Sequence, residues 1–259
     1  MRVLFDAHQL GRHQTGNETY VRELLRELRL LPGLEVVAAV ESGQKSSGVL
    51  APPIQLRRVP RNGILRLAAL SLAARSVRAD LLHAMYFLPP RPGRPTVVTI
   101  HDISFERHPE FFGPRSLVRD RLLIRDAARR ATKVIAVSET SRRDLIELWG
   151  VHPDRVVAIP NGVSPLFRPE AETNPPEDLS RRPLRVLAVG TLQPRKNLLR
   201  LVEAVRLAGR DVPIVLRVIG PDGFQADQIR ARLAGATQVQ GVGYVPGPTL
   251  APCDRWAGV

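Results

Sequence analysis

The sequence predicts an α/β fold in which parallel sheets are covered by helices. Short runs rich in β-branched residues alternate with amphipathic helical stretches, and several of these runs are apolar throughout, as strands buried on both faces must be. Hydrophobic residues make up 44% and charged residues 24% of the 259 positions. This composition and length suit one large or two ordinary domains, and exclude a disordered chain or a small disulfide-stapled module.

Seven strands are predicted in the first 165 residues, where apolar runs are bounded by turn residues. They are Arg2–Phe5, Glu35–Val40, Gln55–Val59, Leu81–Tyr86, Thr96–His101, Lys133–Ser138 and Arg155–Ile159.

Four helices are predicted among these strands, and they cover Glu18–Leu30, Ile64–Arg78, Arg115–Ala131 and Glu139–Trp149. In the first helix, Val21, Leu25 and Leu28 fall on one face at helical spacing. Ser138 is a suitable N-cap for the last helix, and Gly150 ends it.

A proline-rich break divides the chain. Residues 164–183 contain five prolines and few apolar residues, so residues 166–183 are interpreted as an interdomain linker between domains at 1–165 and 184–259. The alternation then resumes with strands at Arg185–Val189, Ile214–Ile219 and Gln238–Val242, helices at Asn197–Ala208 and Gln225–Leu233, and a further helix near Thr249. Three strands form only half of a doubly wound domain. We therefore expect the chain to lack the C-terminal part of a longer protein.

The formal charge of +13 is the most unusual bulk property. Three basic residues are lysines (Lys45, Lys133 and Lys196), while the other 35 are arginines dispersed along the chain. Aromatic residues amount to 5%, and no nucleic-acid recognition motif is found. We therefore expect a compositional arginine bias and no nucleic-acid partner.

The expected compartment is the cytoplasm. Cys253 is the single cysteine, the N-terminus lacks a signal peptide, and no apolar run approaches the ~20 residues of a membrane span. The helix Arg115–Ala131 carries arginines on one side. A solvated face is the first interpretation of that side, and peripheral contact with an anionic membrane at its inner face is the second.

Three loops after predicted strands contain candidate site residues, because ligands of doubly wound sheets lie at the carboxyl ends of the strands. Gly16 precedes the first helix, although a turn glycine explains it equally well. His101 follows a buried strand in Thr99-Ile100-His101-Asp102, with a structural histidine as the alternative. Further histidines and aspartates at metal-ligand spacing are missing, so no metal site is predicted.

Arg195 and Lys196 form the sharpest local signal, because one of only three lysines lies at a strand-to-helix turn. Two cations beside the positive end of a helix suit a diphosphate. A solvated basic turn is the alternative. The first loop, which contains Gly16, lacks the G-x-G-x-x-G dinucleotide pattern, and the chain lacks the G-x-S-x-G elbow of serine hydrolases.

Five segments in this order resemble the family 4 glycosyltransferases, which are retaining enzymes of the GT-B fold that use nucleotide-activated sugars. The segments are TGNETY at 15–20, TIHD at 99–102, IAVSETS at 135–141, IPNGV at 159–163 and GTLQPRKN at 190–197. The resemblance implies a Rossmann-like acceptor-side domain at 1–165 and the first part of a second Rossmann-like domain, which binds the nucleotide-sugar donor, at 184–259.

The resemblance also implies the role of each candidate. The glycine of the first loop, Gly16, would lie near the donor phosphates, and His101 would act in catalysis by contacting the transferred sugar. Gly190, Arg195 and Lys196 would bind the donor. Fixed cations stabilise a leaving diphosphate without a metal, so no cofactor is expected. Some members carry an arginine where this chain has Thr191.

One departure from the family concerns its E-x7-E motif, whose carboxylates bind the donor. The pairs Glu27/Glu35 and Glu139/Glu147 have the spacing but lie in the first domain, outside the expected context. The expected function is transfer of a hexose, with mannose slightly favoured, from a nucleoside diphosphate sugar to a glycan or lipid-linked acceptor in polysaccharide biosynthesis. The missing motif predicts impaired transfer. A non-catalytic fragment that binds an anionic ligand or a membrane surface is the alternative.

Overall fold

The structure is a computed structural model that describes residues 1–12, 15–43, 52–167 and 183–257. The chain divides into two compact units, residues 1–162 and 163–259. Most of the predicted linker, residues 168–182, lies outside the described residues.

The first unit contains a seven-stranded parallel sheet. Its strands are β1 (Arg2–Asp6), β2 (Glu35–Glu41), β3 (Gln55–Val59), β4 (Leu81–Met85), β5 (Thr96–Ile100), β6 (Lys133–Ala136) and β7 (Val156–Ala158). Their order is β3-β2-β1-β4-β5-β6-β7. The direction of the chain across the sheet reverses between β1 and β4, and this reversal opens a crevice at their carboxyl ends.

Helices cover this sheet on both faces. They are α1 (Thr15–Leu28), α2 (Gly63–Ser76), α3 (Ser104–Arg107), α4 (Pro114–Arg130) and α5 (Glu139–Glu147). Phe5 packs in one buried cluster with Val21 and Leu25 of α1, whereas Leu4 packs in another with Leu70 of α2. Because neighbouring strand residues point to opposite faces, α1 and α2 lie on opposite sides of the sheet.

The predicted elements are present, with small changes at their ends. Strands β4 and β5 end one residue earlier than predicted, so Tyr86 and His101 stand just beyond them. Helix α1 begins three residues earlier than predicted, which places Gly16 in its first turn. Ser138 is confirmed as the N-cap of α5, since its side chain accepts a hydrogen bond from the Ser141 amide. The short α3 was not predicted.

The second unit contains a three-stranded parallel sheet. Its elements are β8 (Leu184–Val189), α6 (Leu198–Ala208), β9 (Ile214–Ile219), α7 (Ala226–Ala234), β10 (Val239–Gly243) and α8 (Gly247–Trp256). The strand order is β10-β9-β8. Helix α8 confirms the helix predicted near Thr249. The helix predicted from Asn197 instead begins after a separate 3-10 turn, Pro194–Lys196, because Asn197 is left-handed with φ 54°.

Candidate functional site

His101 lies directly after β5 at the carboxyl edge of the first sheet. Its backbone is held by Ser141, whose hydroxyl donates to the His101 carbonyl oxygen at 2.7 Å. Ring contacts hold its side chain: the centroid of Tyr20 lies 4.8 Å away edge-on, and that of Tyr86 lies 5.9 Å away. Within the described part of the chain, the buried Nε2 of His101 has no hydrogen-bond partner. The hydrogen-bonding capacity of this nitrogen is therefore unused by the described residues.

The imidazole of His101 is neutral at neutral pH. Burial lowers its pKa below the ordinary value of 6.5, and the neighbouring charge of Asp102 offsets only part of that effect. The Asp102 carboxylate accepts hydrogen bonds from the amide and the hydroxyl of Ser104. His101 can thus exchange a hydrogen bond with a sugar hydroxyl without a charge of its own.

Gly16 lies one helical turn from Tyr20, which contacts His101. Residues four apart share a helix face, so Gly16 belongs to the same corner of the first unit as His101. Gly16 is helical rather than a turn residue. A Cβ added to it would meet no described atom within 4 Å, so the packing of the described residues does not require a glycine there.

Two loops of the second unit are locked together at the carboxyl ends of β8 and β9. Leu192 donates from its amide to the Pro221 carbonyl at 2.9 Å, and the amide of Gly223 donates back to the Leu192 carbonyl at 3.1 Å. Gly190 and Gly220 have φ of 153° and 158°, and a Cβ on Gly220 would collide with the Gly190 carbonyl oxygen. Glycine is required at Gly220 because the two backbones touch there, whereas at Gly190 it is favoured by the positive φ.

This locked pair of loops positions Lys196. Its Cε lies 3.3 Å from the place of a Cβ on Gly190, so the aliphatic part of the side chain rests against that glycine. Arg195 and Lys196 are exposed, and neither pairs with a carboxylate among the residues that the structure describes. Asn197 does not cap α6 with its side chain. The free amides at the start of α6 thus add to the positive potential of the turn.

A cavity of about 340 Å³ opens beside this turn in the second unit. Its lining includes Leu192 and Asp222, which bridge the two loops, and Gly243 at the end of β10. Arg230 also lines it and donates to Asp222 at 2.6 Å. Leu192, two residues before the basic turn, lines this cavity, whereas Arg195 and Lys196 do not.

A buried ion cluster at the end of β1 was missed in the sequence. Asp6 is fully buried and accepts hydrogen bonds from Arg66 at 2.5 Å and from His8 at 3.1 Å. Burial alone raises the pKa of Asp6, but His8 and Arg66 outweigh it and hold that pKa at about 2. The sequence signal that could have revealed this cluster is an acidic residue at the end of an apolar strand. Its partner Arg66 lies 60 residues away in sequence.

The structure therefore groups the predicted residues in two places. Gly16 and His101 belong to one corner of the first unit, while Gly190, Arg195 and Lys196 lie together in the second. A metal-binding group of three or more His, Cys, Asp or Glu side chains was not found among the described residues.

Comparison with known proteins identifies the family. Residues 15–165 match the family model described as Glycosyltransferase Family 4. O-antigen chain mannosyltransferase B of Escherichia coli is 25% identical over 280 residues, which span 96% of this chain and 73% of that protein.

Two solved structures resemble the fold. Sucrose-phosphate synthase from Thermosynechococcus elongatus matches with a TM-score of 0.69 and 20% identity, over 96% of this chain and 72% of that one. HepE of Anabaena, solved in complex with UDP and glucose, matches with a TM-score of 0.63 and 20% identity, over 96% of this chain and 71% of that one. These likenesses confirm the predicted GT-B-type α/β fold.

Proposed function

Because the chain belongs to glycosyltransferase family 4, we propose that it transfers a hexose, with retention, from a nucleoside diphosphate sugar to a glycan or lipid-linked acceptor. Mannose is the proposed sugar, since the Escherichia coli relative is named a mannosyltransferase. The observation that carries the donor assignment is the placement of Lys196 against Gly190, with Arg195 beside it, at the carboxyl end of β8.

The proposed chemistry at this turn is stabilisation of the leaving diphosphate. When the bond from the sugar to the diphosphate breaks, negative charge develops on the leaving oxygen. Cations that are already in position stabilise this charge without reorganising. We assign that role to Lys196 and Arg195 and propose that no metal cofactor is needed. The adjoining cavity of about 340 Å³ is the proposed place for the nucleoside.

His101 is assigned to the sugar. Its neutral ring presents a buried Nε2 without a partner among the described residues, and a sugar hydroxyl supplies the matching hydrogen bond. A neutral donor or acceptor suits a hydroxyl better than a charged group does, because no ion has to be desolvated when the sugar binds.

Gly16→Ala tests the donor assignment directly. Alanine is the better helix former by ~1 kcal/mol, and the added methyl meets no described atom, so the folded chain should be as stable as before. If a donor packs against this glycine, the methyl obstructs it at a cost of ~1–3 kcal/mol, which is about 5- to 150-fold in Kd. We expect calorimetric titration with GDP-mannose and UDP-glucose to show this loss.

Gly63→Ala is the matched control, because Gly63 also opens a helix and a Cβ added to it would also meet no described atom within 4 Å. Its affinity for both nucleotide sugars should equal that of the wild-type chain. Equal Kd values for the Gly16 and Gly63 variants would contradict the placement of Gly16. A wild-type chain that binds neither nucleotide sugar would contradict the donor proposal as a whole.

A second proposal concerns contact with an anionic membrane, and α2 supports it better than α4. In α4, Arg119 and Arg130 pair with acidic neighbours, Asp120 and Asp126. Helix α2 instead exposes apolar side chains: Ile64 is 82%, Leu65 59% and Leu72 66% exposed.

Basic residues surround the exposed stripe of α2. Arg61 and Arg75 are exposed at its two ends, and residues 42–79 contain no aspartate or glutamate. Apolar side chains that enter the headgroup region, next to arginines that attract anionic lipids, form an interfacial surface. None of the helices in the described ranges is long and apolar enough to cross a bilayer.

The double substitution Ile64→Ser and Leu65→Ser is expected to weaken co-sedimentation with vesicles of phosphatidylglycerol and phosphatidylcholine by at least about 10-fold. Burial of a single isoleucine or leucine contributes ~1.5–3 kcal/mol, so two of them exceed this threshold. The matched control is Val118→Ser with Leu122→Ser, which removes the two most exposed of the three exposed apolar side chains of α4. Equal losses in both variants, or no binding by the wild-type chain, would contradict the assignment to α2.

A further inference from the structure

The two tyrosines that contact His101 both form a hydrogen bond with one residue, Thr99. The hydroxyl of Tyr20 lies 3.1 Å from Thr99 Oγ1, and the amide of Tyr86 donates to the Thr99 carbonyl oxygen at 3.1 Å. Thr99 is completely buried in β5, two residues before His101. Its side chain and its backbone thus each hold one aromatic neighbour of the histidine.

Thr99 is itself fixed from the neighbouring strand. His83 of β4 places Nε2 2.8 Å from Thr99 Oγ1. Burial lowers the pKa of His83 to about 4, so this histidine is neutral at neutral pH. Three side chains from α1, β4 and β5 therefore form one buried hydrogen-bonded chain that runs from His83 through Thr99 to Tyr20.

The backbone conformation of Tyr86 also indicates that this corner of the first unit is held in place. Its φ is +62°, a left-handed conformation that is strained for a residue with a large side chain. Such a conformation persists only where the surroundings impose it, and it is concentrated at functional sites. Here the hydrogen bond to Thr99 and the ring contacts with His101 and Phe87 hold Tyr86.

The ring of His101 depends on these neighbours for its direction. Among the residues that the structure describes, Nε2 of its side chain makes no hydrogen bond, and its ring contacts the two tyrosine rings. An edge-to-face contact at 4.8 Å is directional, so a fixed Tyr20 fixes the histidine. A loose Tyr20 would let the imidazole turn away from its ligand.

We propose that Thr99 is a positioning residue of the transfer reaction: through Tyr20 and Tyr86 it holds the ring of His101 with Nε2 turned towards the sugar. The inference rests on the proposed function, which assigns His101 to that sugar. Thr99 does not touch the substrate. It acts through the two tyrosines, which we name the tyrosine clamp (Tyr20 and Tyr86).

Thr99→Val is the decisive variant, because valine keeps the shape of threonine and removes only the hydroxyl. Without the hydroxyl, Tyr20 loses its hydrogen bond to residue 99, while the hydrogen bond from the Tyr86 amide to the backbone carbonyl of residue 99 remains. NMR of the labelled chain should then show weaker cross-relaxation between the rings of Tyr20 and His101. The pKa of the His101 imidazole should rise towards its ordinary value as water reaches the ring. Besides His101 itself, the titratable groups around its ring are His83, Tyr20, Tyr86 and Asp102.

Two further variants separate positioning from loss of stability. Thr99→Ser restores the hydroxyl and should restore both NMR signatures. Thr132→Val removes a hydroxyl that bonds the Thr96 amide at the other end of β5, and it should leave the ring of His101 unchanged. If Thr99→Val folds and leaves the cross-relaxation and the pKa of His101 as in the wild-type chain, the proposal is overturned.

Kinetics complete the test. For sugar transfer or donor hydrolysis, whichever the wild-type chain performs, we expect Thr99→Val to lower kcat by about 10- to 100-fold, since small misplacements of a reacting group cost that much. The donor KM should change by less than about 3-fold, because the diphosphate contacts lie elsewhere. An unchanged kcat in an active wild-type background would overturn the proposal. A wild-type chain that binds no donor would instead contradict the proposed function. The NMR comparison would then be the test of the tyrosine clamp.

Discussion

Lys196→Ala is expected to lower kcat/KM for a nucleoside diphosphate sugar by at least about 100-fold, the scale on which a single contact to transition-state charge acts. The side chain is exposed and pairs with no carboxylate in the described ranges, so alanine removes a ligand contact and little else. The free energy of unfolding should stay within about 0.5 kcal/mol of the wild-type value. Initial rates of both chains over a range of GDP-mannose concentrations give kcat/KM.

The effect should be stronger on kcat than on KM, because the leaving diphosphate carries more charge in the transition state than in the bound donor. Lys133→Ala is the matched control: Lys133 is also an exposed lysine, but it stands at the start of β6 and its Nζ donates to the Asp154 carbonyl of the first unit. An unchanged kcat/KM for Lys196→Ala would remove the observation on which the donor assignment depends. A loss of equal size for Lys133→Ala would point to a general effect of positive charge.

Asp6→Ala is expected to cause the largest loss of stability, about 3–5 kcal/mol in the free energy of unfolding, because it leaves a buried guanidinium without its carboxylate. Arg66 is 5% exposed and donates directly to Asp6. Urea unfolding at pH 7 measures the difference. Asp126→Ala is the control, since it breaks the exposed ion pair with Arg130 and should cost under about 1 kcal/mol. Similar midpoints for the two variants would contradict the buried cluster.

The same cluster predicts how stability depends on pH. The pKa of Asp6 is about 2 in the folded chain, below the ordinary value of 3.8, so the folded state binds its proton less readily than the unfolded chain does. The stabilisation is therefore complete above about pH 4 and falls as the pH drops towards 2, by about 2 kcal/mol for this group. Asp6→Asn should remove that part of the acid dependence. If the stability of this variant fell with pH as that of the wild-type chain does, the loss of stability in acid would come from other carboxylates.

Prediction from the sequence worked where the signal is local. Continuous apolar runs identified β1, β5 and β9, and the spacing of apolar residues identified α1 and α6 to within a few residues. The same information located His101 at a strand end and Lys196 at a strand-to-helix turn. Both are properties of neighbouring residues, so no knowledge of the sheet order was needed.

Tertiary structure was needed for the contacts that make these residues into sites. Tyr20 of α1 and Thr99 of β5 meet although 79 residues separate them, and the contact between Gly190 and Gly220 exists because β8 and β9 are neighbours. No local pattern encodes either pairing.

The sequence by itself thus determined the strands, the helices and which residues stand at the carboxyl ends of strands, since these follow from periodicity and turn chemistry along the chain. Only the tertiary structure decided that His101 is held by a tyrosine clamp, that Lys196 rests against Gly190 and that Asp6 is buried with Arg66. Sheet order brings distant residues to one edge, and burial there sets their pKa values and directions.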